Sequence, residues 1–394
     1  MTLSLPAAAG DPPFTEHARG PHRARWIGTV DAAYAEMQQR IDAATASVRL
    51  ETYILKEAGP AAVLAAALLR ARQRGVDVRV LLDAFGAEGV HRPFLDSLRQ
   101  AGIRLTLFNP QRWLRRSFRN HRKLLACDSE HAILGGFNIA EEYAGDGVTR
   151  GWCDTAIYVG GPIVGELERS FDAMFDLAPF TPGAVRRFRK TVRHLQHAAP
   201  RGGPVQLFVS GPATRGRPLG HSLGSDLRRA RKVSIAAAYF LPSRTYRRRL
   251  YEAAARGEVS VLLAGRTDVP IARLAAQHLY GRLLERHVRI FEYQPQILHA
   301  KLLILDDVVY VGSANLDRRS LHINYELLLR IDWPELAADA RSWHASVLAR
   351  CVAVDAAGWQ ATRTLWRRIL SYASYLLLAR LDPLLARRGS RSLS

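Results

Sequence analysis

Short apolar runs alternate with Ala/Leu-rich segments along most of this chain, and their order predicts an α/β fold. Three runs are typical of buried strands, at residues 48–55, 76–83 and 103–108. The segments 61–74 and 91–101 between them predict helices, which end at Gly75 and Gly102. Because helical crossovers join parallel strands, this order implies a parallel sheet covered by helices.

The same order of elements recurs in the second half of the chain. The runs 233–241, 259–264 and 288–293 match the three strands of the first half. Two further runs in the first half, at 124–127 and 132–134, predict a pair of adjacent strands. The repeat unit is a whole domain, too long for a solenoid, so the sequence predicts a tandem duplication. Each copy is expected to be a mixed β-sheet sandwiched by helices.

Changes in composition divide the chain into five predicted segments. They are a flexible N-terminal arm (1–25), a first domain (26–177), a linker (178–203), a second domain (204–352) and a C-terminal tail (353–394). The tail predicts a helix near 359–388 with apolar residues on most sides and arginines at both ends. Such a helix is either buried or inserted at a membrane interface, and Arg387, Arg388 and Arg391 favour the membrane.

The net charge of +20 and the isoelectric point near 10.6 predict a negatively charged partner, either nucleic acid or anionic lipid. Apolar residues make up 48% of the chain, which excludes an intrinsically disordered protein. Three cysteines give neither a disulfide framework nor a metal-binding spacing. No segment resembles a secretory signal peptide, and no apolar run is long enough to predict a membrane span.

A His-x-Lys-x4-Asp motif occurs in both halves and is the strongest indication of function. The candidate catalytic residues are the members of its two copies: His121, Lys123, Asp128, His299, Lys301 and Asp306. The copies lie 178 positions apart, and a small-residue turn that ends in asparagine follows each. Only five of the 56 basic residues are lysines, yet both motifs contain one. An ammonium group binds phosphate as a compact charge, unlike the planar guanidinium of arginine.

Two histidines on opposite sides of one centre can carry out a double displacement at phosphorus. One imidazole attacks, while the other protonates the leaving group and then deprotonates the incoming alcohol. Lys123 and Lys301 are predicted to neutralise the non-bridging oxygens of a phosphodiester, a role that metal ions have in other enzymes. No acidic cluster suited to Mg²⁺ accompanies the motifs, so neither a metal nor a cofactor is predicted. The candidate substrate-binding residues are Asn138, Ser313 and Asn315.

Four acidic residues are predicted to have architectural or supporting roles. On an ideal strand Asp128 and Asp306 face away from the motif histidines, which indicates an architectural role within the motifs. Glu51 lies in an apolar strand, where a charge needs a partner. Asp83 ends a predicted strand, at the edge where ligand sites of open sheets form.

The two motifs resemble those of the phospholipase D superfamily. Flanking segments resemble bacterial cardiolipin synthases more narrowly, at 51–53, 82–86, 152–154, 312–320 and 324–326. The similarity extends from about residue 26 to residue 350. The resemblance implies two similar α/β domains with one active site between them.

The resemblance also implies a phosphohistidine intermediate, with His121 as nucleophile and His299 as acid/base, or the reverse. It implies that Asp154 and Glu326 hydrogen-bond the histidines. The chain lacks the two N-terminal membrane helices of the longer synthases, so it resembles the shorter, peripheral type. The implied partners are an anionic phospholipid membrane and phosphatidylglycerol, at the cytoplasmic face of the bacterial inner membrane.

The predicted function is transfer of a phosphatidyl group from phosphatidylglycerol to the hydroxyl of a second phospholipid, with release of glycerol. The alternatives are a phospholipase D-type phosphodiesterase or nuclease, and a non-catalytic scaffold that binds DNA or acidic lipid. The apolar tail disfavours a nuclease, and the intact motifs disfavour a scaffold, so nucleic acid is not expected as a partner. The loop 109–120 is either a solvated charge run or a lipid headgroup interface. The oligomeric state and the second lipid stay open.

Overall fold

Two mixed β-sheets, one from each half of the chain, form the framework of the molecule. The computed structural model describes residues 14–109, 118–178, 181–198, 203–212 and 218–381. The strands of the first sheet are β1 (His17–Arg19), β2 (His22–Ile27), β3 (Ser47–Thr52), β4 (Asp77–Asp83), β5 (Arg104–Phe108), β6 (Leu124–Cys127), β7 (His131–Gly135) and β8 (Ala156–Gly160). Those of the second are β9 (Val205–Ser210), β10 (Lys232–Ala237), β11 (Glu258–Ala264), β12 (Arg289–Tyr293), β13 (Lys301–Leu305), β14 (Val308–Gly312), β15 (Glu326–Asp332) and β16 (Cys351–Ala353).

Helices connect and cover these strands. The helices of the first half are α1 (Val30–Ala43), α2 (Pro60–Gln73), α3 (Arg92–Gln100), α4 (Pro162–Leu177) and α5 (Pro182–Ala198). Those of the second half are α6 (Pro218–Arg229), α7 (Arg244–Arg256), α8 (Pro270–Leu284), α9 (Arg318–His322), α10 (Pro334–Leu348), α11 (Ala356–Thr362) and α12 (Leu365–Leu376). Gly75 follows α2 and has a φ of 91°. This left-handed conformation favours glycine and is typical of the residue that follows a helix, which is the position predicted for Gly75.

Each sheet joins three parallel strands to an antiparallel set. In the first sheet the order is β1-β2-β8-β7-β6-β3-β4-β5, and β3, β4 and β5 are parallel. In the second sheet the order is β16-β12-β11-β10-β13-β14-β15-β9, and β10, β11 and β12 are parallel. The strands that follow the two motifs, β6 and β13, run antiparallel to β3 and β10. The predicted α/β fold of two mixed sheets is confirmed.

The two sheets share one hydrophobic core. Buried residues of β2, β6, β8 and α4 form a single cluster with residues of β9, β13, β15 and α10. Separate cores lie under α1, α2 and α3 on the first sheet and under α6, α7 and α8 on the second. The shared core therefore holds the two motif strands in a fixed relation to each other.

The structure differs from the predicted N-terminal arm over part of its length. Residues 17–19 lie in β1 and residues 22–25 in β2, and β2 pairs with β8, so the prediction of a flexible arm is wrong for them. Ala24 and Trp26 are fully buried, whereas Arg25 between them donates to Glu36. The many basic residues of this strand conceal the alternation that marks it as part of a sheet. Residues 1–13 lie outside the described part of the chain.

The predicted linker contains a helix that belongs to the shared core. One face of α5 buries five apolar residues: Ala184, Val185, Phe188, Val192 and Leu195. This face packs against α4 and β9, so α5 contacts both halves of the molecule. The polypeptide between the sheets is therefore part of the packed structure.

The tail lies on the second half of the molecule. The helix α12 packs against α8 and buries the small side chains of Ser371 and Ser374. Its outer face exposes large apolar residues, among them Leu365 at 72% and Trp366 at 71% exposure. Within the described residues, no helix has the length and hydropathy needed to cross a membrane. Residues 382–394, with Arg387, Arg388 and Arg391, and residues 110–117 of the basic loop lie outside the described chain.

Candidate active site

Each motif histidine stands on a short extended segment that pairs with the other half of the chain. His121 N donates to Tyr325 O at 2.9 Å, and Tyr325 N donates to Arg119 O at 2.8 Å. In the matching place of the second half, His299 N donates to Cys153 O at 2.7 Å. These bonds bring His121 beside the start of β15 and His299 beside the segment that leads into β8.

Each motif histidine contacts a carboxylate that comes from the other half of the chain. His121 Nδ1 lies 3.1 Å from Glu326 Oε2, and His299 Nδ1 lies 2.7 Å from Asp154 Oδ2. Both carboxylates are almost completely buried. Each acid fixes the tautomer and the ring orientation of a histidine from the opposite half, and leaves Nε2 as the nitrogen that can react.

The two motif lysines adopt matching positions. Lys123 Nζ donates to His121 O at 2.7 Å, and Lys301 Nζ donates to His299 O at 2.5 Å. Lys301 Nζ also lies 2.8 Å from His299 Nδ1. A Cβ atom added to Gly136 would lie 3.0 Å from Lys301 Cδ and 2.7 Å from the Asp154 carboxylate oxygens. The glycine of the first turn therefore leaves room for the Asp154 carboxylate and for Lys301 of the second motif.

Burial and neighbouring charge shift the pKa values of all four motif bases. Burial is the largest cause of the lowered pKa of His121. Burial and then the Lys301 charge lower the pKa of His299 to about 3. Burial also lowers the pKa of Lys301 to about 8 and holds that of Lys123 well below its ordinary value. Both imidazoles are therefore neutral in the resting site near pH 7.

Ser313 supports the acid that holds His121. Its Oγ donates to Glu326 Oε2 at 2.5 Å and accepts from Leu327 N at 3.0 Å. The hydroxyl thus links the turn after the second motif to β15. This contact offers an indirect role for Ser313, through Glu326, besides the predicted contact with substrate.

The two predicted asparagine ligands are engaged within the protein. Asn138 Oδ1 accepts from Ile54 N at 3.1 Å, and its Nδ2 donates to Tyr143 Oη at 2.7 Å. Asn315 Oδ1 accepts from Tyr239 N at 3.4 Å. The two amides therefore bind the segments that follow β3 and β10, which positions the turn behind each motif.

The motif aspartates lie at the far ends of β6 and β13 from the lysines. Asp128 accepts from Ala46 N at 2.8 Å and Ser47 N at 2.7 Å, and Asp306 accepts from Lys232 N at 2.8 Å. These bonds fasten the turns after the motif strands to the starts of β3 and β10. The contacts match the architectural interpretation of the two residues.

A buried polar cluster lies behind His121. Asn120 Nδ2 donates to Glu51 Oε1 at 2.8 Å, and Asp83 Oδ2 accepts from Asn120 N at 2.8 Å. Arg122 Nη2 lies 3.1 Å from Glu51 Oε2, and neither of these two side chains has any exposed surface. Burial raises the pKa of Glu51 and raises that of Asp83 to about 6. Glu51 and Asp83 therefore lie behind the site, where they contact the neighbours of His121 and not its ring.

The second half has no such cluster at the matching positions. Glu51 pairs with Leu124 across β3 and β6, and Ala236 pairs with Leu302 across β10 and β13. Because Leu124 and Leu302 have the same position in the two motifs, Glu51 and Ala236 correspond. By the same registers and the repeat of the motif, the counterparts of Asp83, Asn120 and Arg122 are Ala264, Leu298 and Ala300. The positions behind His121 are therefore polar or charged, whereas the matching positions behind His299 are apolar.

Aromatic side chains pack on both imidazoles. The ring of Tyr53 lies 5.1 Å from that of His121, and Lys123 Nζ lies 5.3 Å from the Tyr53 ring centre. Tyr143 and Trp152 lie 5.0 Å and 5.3 Å from His299. Sequence reasoning assigned no role to these rings, or to Asn120 and Arg122, although all stand within a few residues of a motif or a quoted segment. Within the described residues, no group of three or more His, Cys, Asp or Glu is placed to hold a metal ion.

Comparison with known proteins bears directly on this site. The family described as "Cardiolipin synthase, PLD-like domain" matches residues 37–175 and 223–348, and each segment contains one motif. This chain belongs to that family. The family also accounts for the duplicated architecture, because its domain occurs twice in the chain.

Curated relatives support the family assignment. The chain is 32% identical over 305 residues to a cardiolipin synthase of a Geobacillus species, covering 75% of this chain and 60% of the relative. It is 33% identical over 314 residues to cardiolipin synthase A of Pseudomonas putida, covering 77% of this chain and 63% of the relative. The chain thus matches rather less than two thirds of the length of these relatives.

Solved structures show the same fold. Phosphatidylserine synthase of Haemophilus influenzae superposes with a TM-score of 0.72 at 14% identity, over 95% of this chain and 96% of that one. Polyphosphate kinase of Porphyromonas gingivalis gives a TM-score of 0.57 at 17% identity, over 92% of this chain and 53% of that one. At these identities the likeness concerns the fold alone.

Proposed function

We propose that this chain is a phosphatidyltransferase that moves a phosphatidyl group from phosphatidylglycerol to the hydroxyl of a second phospholipid and releases glycerol. When the second phospholipid is also phosphatidylglycerol, the product is cardiolipin. The observation that carries the proposal is the pair of exchanged histidine–carboxylate contacts with a buried lysine beside each histidine. Two positioned imidazoles and two ammonium groups suit a double displacement at a phosphodiester. Membership of the cardiolipin synthase family supports a lipid substrate.

The first displacement forms a covalent intermediate. His121 Nε2 attacks phosphorus, the bond from phosphorus to the glycerol headgroup oxygen breaks, and that oxygen takes a proton from His299. In the second, a hydroxyl of the acceptor lipid gives its proton to His299 and its oxygen attacks phosphorus. The phosphorus–nitrogen bond breaks, which restores His121 and yields cardiolipin. The charged cluster behind His121, which the matching positions behind His299 lack, suits two histidines with different roles.

Substrate binding prepares His299 to act as an acid. In the resting site Lys301 lies beside the imidazole and depresses its pKa. A bound phosphodiester is negative and attracts both ammonium groups, so Lys301 moves from the ring towards the phosphate oxygens. Both changes raise the pKa of His299, which then takes up the proton that the leaving glycerol needs.

The location follows from the substrate. A lipid substrate requires the active site to lie against a bilayer, and the net charge of +20 favours an anionic one. We place the protein as a peripheral component at the cytoplasmic face of the bacterial inner membrane. Phosphatidylglycerol is its expected substrate there, and nucleic acid is not an expected partner.

The test of the reaction is purified protein on phosphatidylglycerol vesicles, followed by mass spectrometry of the lipids. Cardiolipin accumulating over phosphatidic acid is the expected result. Phosphatidic acid as the main product would make the chain a phospholipase. Cleavage of DNA without lipid turnover would make it a nuclease.

The test of the intermediate uses phosphatidylglycerol labelled at phosphorus. The label should appear on one histidine, in an acid-labile and base-stable bond. His121→Ala and His299→Ala should each abolish turnover, and the variant that lacks the nucleophile should stay unlabelled. Normal turnover in either variant would remove the proposed mechanism.

A further inference from the structure

A polar pocket of about 260 Å³ lies outside the active site, between α8 and the tail helices. Its walls include Arg273, Gln277, Trp359, Arg363 and Arg367, and none of its lining residues is acidic. Three guanidinium groups therefore surround one small volume. Guanidinium groups bind the oxygens of phosphate and carboxylate in preference to neutral ligands.

Two buried donors at this pocket have no acceptor in the protein. Within the described chain, neither Trp359 Nε1 nor Arg273 Nε has a hydrogen-bond partner, although both atoms are shielded from solvent. Another nitrogen of Arg273 pairs with Glu292 at 2.9 Å, so its side chain is held in place. Buried donors are normally satisfied. A ligand that supplies acceptor oxygens would suit these donors and the arginines of the pocket.

The helix beside the pocket carries an apolar face with no partner in the described structure. Leu365, Trp366 and Ile369 are 72%, 71% and 50% exposed. The basic residues Arg367 and Arg368 stand between them in the sequence. Large exposed apolar residues interleaved with arginines are typical of a helix that lies in the headgroup region of an anionic bilayer.

We infer that the pocket binds the phosphate of an anionic phospholipid whose bilayer receives the apolar face of α12. A phospholipid bilayer accounts for both observations, since lipid phosphates match the arginine pocket and the acyl region receives the apolar face of α12. A free phosphate ion would use only the pocket. The inference rests on the proposed function only in taking a phospholipid bilayer as the partner.

The pocket is close to the active site along the chain. α8 begins at Pro270, two residues after Asp268, and the Asp268 carboxylate accepts from Tyr239 Oη at 3.2 Å. The charge of Asp268 also acts on Lys301. Gln277 lies about 10 Å along the helix axis from Pro270, given the rise of an α-helix. A lipid held in the pocket would therefore set the rim of the active site against the bilayer.

The experiment measures co-sedimentation with vesicles of phosphatidylcholine alone and of phosphatidylcholine mixed with phosphatidylglycerol. Removing one surface arginine weakens binding to anionic lipid about fivefold, and removing one that hydrogen-bonds phosphate should weaken it about tenfold or more. Arg363→Gln and Arg367→Gln are the test variants. Arg248→Gln is the matched control, because that side chain is 73% exposed and pairs only with Glu252 within α7.

The expected result is a larger loss of binding to the mixed vesicles in both test variants than in the control. Turnover of a short-chain, soluble phosphatidylglycerol should stay unchanged, which separates this site from the proposed function. Equal losses in test and control variants would overturn the inference. The same variants should keep the wild-type melting temperature, and a variant that melts lower is compared with its lysine counterpart, which keeps the charge and should retain most of the binding.

Fluorescence identifies the ligand at the pocket. Emission from Trp359, isolated as the difference from Trp359→Phe, should change on addition of the mixed vesicles. Inorganic phosphate at the same phosphate concentration should change it much less. An equal response to inorganic phosphate, with unaltered vesicle binding in Arg363→Gln, would assign the pocket to a free anion and overturn the lipid proposal.

Discussion

The buried pair Glu51–Arg122 behind His121 should behave as a single energetic unit. Its charged atoms lie 3.1 Å apart, and neither side chain is exposed. Removing one partner leaves an uncompensated charge in the interior, which costs about 3–5 kcal/mol. We expect Glu51→Met and Arg122→Met each to lower the free energy of unfolding by about that amount, which corresponds to a fall in Tm of about 4–6 °C for a chain of this length.

The double variant Glu51→Met/Arg122→Met should be less destabilised than either single variant. Two methionines of similar length fill the space without charge, and such replacements are often neutral. The remaining cost is that Asn120 Nδ2 loses its acceptor, which is worth about 1–3 kcal/mol. Ala236 and Ala300 at the matching positions show that this architecture can form without charge there.

The wild type, the two single variants and the double variant form a double-mutant cycle. Urea-induced unfolding followed by circular dichroism measures the free energy of unfolding of each. The coupling energy should be at least about 3 kcal/mol, the difference between the summed single costs and the double cost. The exposed pair Asp96–Arg99 provides the control cycle, with a coupling below about 1 kcal/mol. If the costs of the two single variants simply add, the buried pair is not a unit and the reasoning fails.

Four further predictions concern the active site. Asp154→Asn and Glu326→Gln should each lower kcat by about 10³-fold, because a histidine loses the acceptor that fixes its tautomer. A near-normal rate in either variant would contradict the exchanged pairing. Ser313→Ala should lower kcat about tenfold, since the hydroxyl holds Glu326, whereas an effect on KM alone would point to substrate contact. As pH rises through about 8, kcat/KM should fall because Lys301 loses the charge that binds phosphate, and a profile that stays flat there would refute this. A chelator should leave most of the activity on substrate in detergent micelles, because lysines and not a metal ion neutralise the phosphate. Complete loss of activity that one metal restores in stoichiometric amount would contradict this role of the lysines.

Local patterns in the sequence were sufficient for the strands and helices around the site. The runs at 76–83 and 103–108 correspond to β4 and β5 within a residue, and Gly75 ends α2 as predicted. The stripe of Ala184, Val185, Phe188, Val192 and Leu195 in α5 has helical spacing and could have been found as well. Its many basic neighbours made the segment look like a solvated linker.

The partners of individual polar groups could not be predicted from the motifs. The pairs His121–Glu326 and His299–Asp154 join residues 205 and 145 positions apart, and the family resemblance implied the acids without their exchange between halves. The amide of Asn138 is bound to Ile54, 84 positions away, which no local pattern indicates. Such contacts depend on how the two sheets pack across the shared core.

The exchange of acids makes the two halves of the chain mutually dependent. Either half produced alone would carry a histidine without its carboxylate and a carboxylate without its histidine. Two fragments divided between α5 and β9 should therefore be inactive separately and regain activity when mixed, provided that they dock through the shared core. Two identical subunits related by a twofold axis would give the same exchange of acids. The chain therefore has the arrangement of such a dimer within one polypeptide. A substitution at Asp154 or Glu326 therefore acts on the reacting histidine of the opposite half.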